Sequence, residues 1–168
     1  VCFVMIFIAI GSNLPHHEFG PPVDVCNAAI GAIEASGCGL QARSRWFRST
    51  PVPASDQPDF VNGVISVQTA LEPGALLSCL HGIEARFDRV RSAPDAARTL
   101  DLDLLTYGDM INNGPDAPLL PHPRMARRAF VLLPLRDVAP DWKHPVLWAT
   151  LAALIAALPD GQKCTPIA

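Results

Sequence analysis

The sequence predicts an α+β fold in which an antiparallel sheet carries helices on one face, followed by a C-terminal helical extension. Three observations carry this expectation. Strand-like and helix-like segments follow one another in the order strand, helix, strand, strand, helix, strand. The apolar residues repeat every second position in the strand-like segments and at helical spacing in the helix-like ones. Segments rich in Gly and Pro separate them.

The first strand is expected at residues 3–10, a run of apolar, largely β-branched and aromatic residues that suits a strand covered on both faces. This run is too short to span a bilayer, and it has neither a basic leader nor a cleavage pattern. A helix over 23–36 stops at Gly37 and Gly39, which suit a helix C-terminus. Residues 40–49 form the second strand, and the prolines of 50–59 forbid a regular element there. The third strand, 60–71, alternates Val61, Gly63, Ile65 and Val67 against Asn62, Val64, Ser66 and Gln68.

Pro73 opens the second helix, whose apolar stripe is Leu76, Leu77, Leu80, Ile83, Phe87 and Val90. After a loop at 92–97, the fourth strand covers 99–107. Residues 124–137 are helical, with Pro134 as a kink, and 148–158 form a last short helix. This order is the ferredoxin-like split βαβ arrangement, and no linker or repeat divides it, so residues 1–168 read as one domain.

Composition narrows the function. The chain has 168 residues and a formal net charge of −3, which argues against nucleic-acid binding by bulk electrostatics. Any anion site must be built from a few clustered arginines. Five scattered cysteines without a CxxC pair point to a reducing, cytoplasmic compartment rather than a disulfide or zinc framework.

The most informative segment is Arg98-Thr99-Leu100-Asp101-Leu102-Asp103-Leu104. On a strand the leucines face one way, and Asp101 and Asp103 project together from the other. Asp is unfavourable in strands, so two at this spacing need a reason. Carboxylates about 7 Å apart can hold Mg²⁺ together with substrate phosphate oxygens; a solvated strand face is the plainer reading. Arg98 before the pair, and Arg86, Arg89 and Arg91 around the end of the second helix, add the cations that phosphoryl transfer uses. For Arg86 a helix-dipole role suffices. A second basic cluster is Pro121-His122-Pro123-Arg124-Met125-Ala126-Arg127-Arg128-Ala129-Phe130, leading into a helix start suited to anions.

Taken together, several blocks resemble the 6-hydroxymethyl-7,8-dihydropterin pyrophosphokinase family. They are Ile8-Ala9-Ile10-Gly11-Ser12-Asn13-Leu14, Arg48-Ser49-Thr50-Pro51, Gln57-Pro58-Asp59-Phe60-Val61-Asn62, Ile83-Glu84, Arg89-Val90-Arg91, Arg98 to Asp103 and Pro121-His122-Pro123-Arg124. The resemblance implies transfer of the β,γ-pyrophosphoryl group of ATP to the pterin hydroxymethyl oxygen, with release of AMP. It implies two Mg²⁺ ions on Asp101 and Asp103, and transition-state charge neutralised by Arg89 and Arg98. ATP would be held by Arg91, His122 and Arg128, with Glu84 and Leu104 around the nucleotide. The pterin would lie between Phe60 and Phe130, read by Asn62 and by the backbone of Thr50, Pro51 and Val52. The implied partners are small molecules acting on a monomer, not nucleic acid or membrane. The chain departs from the family at residues 92–97, which lack the usual basic residue or Trp, and at Ala117 and Leu119, where some members place Arg and Thr.

Two other readings use the same residues. A two-metal nucleotidyl transferase or cyclase on the same frame would lack the Phe60/Asn62 pocket. An RNA-binding module would show aromatics on the open sheet face and a basic surface.

Overall fold

A central strand, β1 (Ile6–Ser12), pairs antiparallel with β4 (Phe60–Gln68) on one side and β5 (Asp101–Tyr107) on the other. Outside β4 lie β2 (Gly39–Arg43) and β3 (Phe47–Ser49), and β6 (Cys164–Pro166) closes the edge against β3. The computed structural model describes residues 4–90 and 93–168, so the expectation for Arg91 lies outside the described residues.

Alternation along β1 sets the layers. Ile6, Ile8 and Ile10 join one core with Val61, Ile65, Val67, Leu102 and Leu104. Helix α1 (Pro22–Ala35) and helix α2 (Pro73–Arg86) cover that core with Val25, Ala29, Ile33, Leu76, Leu80 and Ile83. Phe7 points the other way, into a second core with Val64 and Leu105. That core is closed by α3 (Ala129–Val138) through Val131, Leu132 and Leu135, and by α4 (Leu151–Ala156) through Leu151 and Leu154. Helices therefore cover both faces of the sheet. The expectation of helices on one face holds for α1 and α2 only, because the buried Phe7 face also needs an apolar cover.

Other boundaries shift for local reasons. The strand expected over 40–49 splits into β2 and β3, since Ser44 Oγ accepts the Val64 N–H at 3.0 Å where a ladder would continue. Leu100, expected inside a strand, precedes β5. The apolar stripe of α2 ends at Phe87, and Val90 is 79% exposed. Trp148 is 82% exposed and lies before α4 rather than in it. A 3₁₀ turn at Met125–Arg127 replaces the first turn of the helix expected over 124–137, and α3 runs on through Pro134. The short β6 has no sequence signature and pairs antiparallel with β3. Among the described residues no helix is long and apolar enough to cross a membrane.

Candidate active site

On β5, Leu102 and Leu104 enter the α1/α2 core, which turns Asp101 and Asp103 to the opposite face, toward the start of α3. Both carboxylates line a cavity of about 260 Å³. Asn62 of β4 and Asp101 of β5 are each paired with Gly11 of β1, so the three form one row across the sheet.

Arginines reach the pair from three directions. Arg89, just past α2, places Nη1 2.5 Å from Asp101 Oδ1 and also contacts the Glu84 carboxylate. Arg98 donates from Nη1 to Asp101 Oδ2 at 3.0 Å. Its own position is fixed by Nε donating to the Ala96 carbonyl and its backbone N–H donating to Asn13 Oδ1. From the residue preceding α3, Arg128 brings Nη1 to 3.9 Å from Asp103 Oδ2 and lies over the Phe130 ring at 5.3 Å.

Among the described residues, the second carboxylate has only distant partners. Asp103 is pushed up to about 6, first by burial and then by the charge of Asp101, against the pull of Arg128, Arg89 and Arg98. His122 Nε2 lies 4.0 Å from Asp103 Oδ2. Burial, with Arg128 and Arg124 close by, lowers the imidazole to about 4, so it is neutral at pH 7. Its Nδ1 accepts the Arg124 N–H at 3.2 Å, which leaves the ring proton on Nε2, facing Asp103.

The same cavity is lined by Thr50, Pro51, Val52, Phe60, Asn62 and Phe130. Asn62 is buried, and its Nδ2 donates to Ser49 Oγ at 2.6 Å. A Cβ on Gly11 would stand 3.1 Å from Asn62 Oδ1, so the glycine keeps the floor of the row open.

The structure thus gathers Arg89, Arg98, Asp101, Asp103, Arg128, Thr50, Pro51, Val52, Phe60, Asn62 and Phe130 around one cavity. Three expected residues stand elsewhere. Leu104 is a core residue. Glu84 is buried and braces Arg89 and β5, accepting the Leu102 N–H at 2.8 Å. His122 stands behind Asp103. Three lining residues were not foreseen as site residues: Ser49, Asp95 and Arg124. Ser49 and Arg124 sit inside the motifs quoted above, which was the available signal; Asp95 had none.

A sequence profile described as 7,8-dihydro-6-hydroxymethylpterin-pyrophosphokinase matches residues 7–140. The chain is 41% identical over 155 residues to a 2-amino-4-hydroxy-6-hydroxymethyldihydropteridine pyrophosphokinase of Pseudomonas aeruginosa, covering 92% of this chain and 91% of that one. It is 38% identical to the Synechocystis protein of the same name, covering 88% of this chain and 73% of that one. A folic acid synthesis protein of Pneumocystis carinii is 36% identical, and there the match spans 20% of the longer protein. The crystal structure of wild-type Plasmodium falciparum HPPK-DHPS shares the fold at a TM-score of 0.69 and 14% identity, over 92% of this chain and 44% of that one. With the profile and close relatives matching over most of its length, the chain belongs to the 7,8-dihydro-6-hydroxymethylpterin-pyrophosphokinase family.

Proposed function

We propose a division of labour among these residues for the reaction the chain catalyses as a family member: pyrophosphoryl transfer from ATP to 6-hydroxymethyl-7,8-dihydropterin, in folate synthesis. The pterin hydroxymethyl oxygen bonds to the β-phosphorus, the bond from that phosphorus to the α,β-bridging oxygen breaks, and AMP leaves.

One observation carries the reading: two aromatic rings and a buried amide line the same cavity as the arginines and the carboxylate pair. Phe60 and Phe130 supply ring faces for a flat heterocycle, and Asn62, steered by Ser49, presents its amide to the ring's polar edge. The backbone of Thr50 to Val52 supplies further polar groups along that edge. Arg89, Arg98 and Arg128 offset charge where it develops on the phosphates, and Arg124 extends that cationic wall.

The donor set at Asp101 and Asp103 fits Mg²⁺. Among the described residues, four lining arginines face three lining carboxylates, Asp95, Asp101 and Asp103, so these arginines alone do not balance an added triphosphate. The raised Asp103 carboxyl marks a place where a further cation is favourable. Asp101 and Asp103 would hold two Mg²⁺ ions, which supply charge neutralisation on the phosphates and acidify the attacking hydroxyl.

The strand order and the α1/α2 layer support a ferredoxin-like core within one pyrophosphokinase domain. Incubation with ATP, Mg²⁺ and the pterin alcohol, with nucleotides resolved by chromatography, tests the reading. AMP should appear in step with pterin pyrophosphate. ADP with a pterin monophosphate would mean an ordinary kinase and overturn it.

A further inference from the structure

On the side of the fold where α1 and α2 pack, the loop between β1 and α1 carries Pro15-His16-His17-Glu18-Phe19-Gly20. Its ends are clasped by reciprocal backbone hydrogen bonds between His16 and Gly20, each 2.9 Å. The clasp presents two imidazoles to Asp88, the second residue past α2. His16 Nε2 lies 3.0 Å and His17 Nδ1 3.3 Å from Asp88 Oδ2, and the three donor atoms fall within 4.8 Å of one another.

Two features make this more than an ion pair. The His16 side chain is 2% exposed, yet its Nε2 has no hydrogen-bond partner among the described residues; the Asp88 carboxylate is near but out of line with the N–H. A buried ring N–H left without an aligned acceptor is costly, so the position of this atom calls for a partner. Phe19 and Phe87, stacked at 4.6 Å, close the inner side, and Phe19 lies 4.8 Å from His16. His17 and Asp88 leave the outer side open to water.

We propose that His16, His17 and Asp88 form a site for a divalent transition cation of the zinc class, separate from the Asp101/Asp103 pair. Two imidazole nitrogens and one carboxylate oxygen suit Zn²⁺ or Co²⁺, whereas Mg²⁺ takes an all-oxygen set. Separations of 3.0 and 3.3 Å are those of neighbouring donors around a tetrahedral ion with bonds of about 2.0–2.1 Å. Water completes the shell on the open side.

Loading asks two adjustments of the protein. The Glu18 N–H at 3.1 Å from His16 Nδ1 keeps the ring proton on Nε2 in the metal-free form; as the ion takes Nε2 that proton moves to Nδ1, and the Glu18 N–H turns from the ring to water. Exposed His17 turns from its 4.4 Å stack on His16 until its Nδ1 lone pair meets the ion. Both adjustments weaken binding, and the result is an exchangeable ion. When bound, it ties the β1–α1 loop to the end of α2, next to Arg89.

Calorimetric titration of the full chain with Zn²⁺ in excess Mg²⁺, which occupies the carboxylate pair, tests this. One Zn²⁺ per chain should bind and raise Tm. His17→Ala, at a fully accessible position, and Asp88→Asn should each weaken Zn²⁺ at least ten-fold, and Asp103→Asn should not. Co²⁺ in place of Zn²⁺ should give tetrahedral visible bands without thiolate charge transfer. No uptake in Mg²⁺, uptake unchanged in both His17→Ala and Asp88→Asn, or a thiolate band from the cysteines would each overturn the proposal.

Discussion

Asn62 and Asp101 face each other across one residue of β1, Gly11, to which both are paired in register. A Cβ at that residue would stand 3.1 Å from Asn62 Oδ1 and 3.9 Å from Asp101 Cβ. The bare glycine therefore leaves open space between the Asn62 amide and the Asp101 carboxylate. On the proposed reading, this is the point where the pterin hydroxymethyl group meets the phosphates.

Gly11→Ala tests that junction. Gly11 is not in the left-handed region, so the strand accepts Ala without backbone strain. Asn62 cannot step aside freely, because Ser49 holds its Nδ2. Expected is a fall of roughly 10²-fold in kcat/KM, as for a small misplacement of reacting groups, with Tm lowered by only a few degrees, on the order of one tight contact. Unaltered kinetics would show that the substrates meet elsewhere.

Asp103→Asn should exchange activity for stability. The folded carboxyl sits at about 6, above the model-peptide 3.8, so the folded state takes up its proton first on acidification. The ionised group thus opposes folding above pH 6, and that opposition fades as pH falls from 6 toward 4. In metal-free buffer the variant should melt roughly 2–4 °C higher at pH 7.5, with the gap closing near pH 4. Turnover should be lost while pterin binding persists. His122, lowered to about 4, works with the opposite sign: its stability is present above pH 6.5 and drains away between 6.5 and 4. Calorimetric melts of Asp103→Asn and His122→Gln across pH 4–8 separate the two. A stability gap at Asp103 that widens on acidification would sink the assignment.

Glu84→Ala should act through Arg89 rather than through ATP contact. The buried carboxylate accepts the Leu102 N–H and an Arg89 N–H, so truncation leaves a backbone donor and a partly buried guanidinium short of partners. Expected is a loss of about 3 kcal/mol in urea unfolding. The kcat should fall further than ATP affinity does, because Arg89 loses its brace. A pure loss of ATP affinity with normal stability would return Glu84 to the nucleotide.

Much of this was legible along single strands. The unbroken apolar run of β1 predicted burial on both faces, and Asp101 and Asp103 do project together because Leu102 and Leu104 fill the core. The second helical layer was implied by Phe7 but unassigned, since the apolar faces of α3 and α4 carry no mark of which sheet face they cover. The Ser44 interruption rests on a hydroxyl reaching a neighbouring strand, and the β6 pairing on contacts between segments distant in sequence, neither of which hydrophobic periodicity encodes. The Asn62–Gly11–Asp101 row was hidden for the same reason. Register between strands distant in sequence is a tertiary property.

The loop before β5 gives the sharpest contrast between neighbouring residues. Asp95 lines the cavity in a left-handed conformation, φ 57°, with its Oδ1 3.9 Å from Arg124 Nη1. Its backbone carbonyl accepts from Gln57 Nε2 at 2.8 Å, so the loop's placement rests on the main chain and not on the carboxylate. The carboxylate competes with phosphate for Arg124. Arg98, by contrast, reaches Asp101 directly. Asp95→Ala should leave turnover unchanged or raise it slightly, with tighter ATP binding, because Arg124 is released. Arg98→Ala should cost roughly 10²-fold or more in kcat, the scale of losing one electrostatic stabiliser. Steady-state kinetics at saturating Mg²⁺ compares them. A crippled Asp95→Ala beside a near-normal Arg98→Ala would reverse the roles, making the Asp95 carboxylate a working part of the site and Arg98 a bystander.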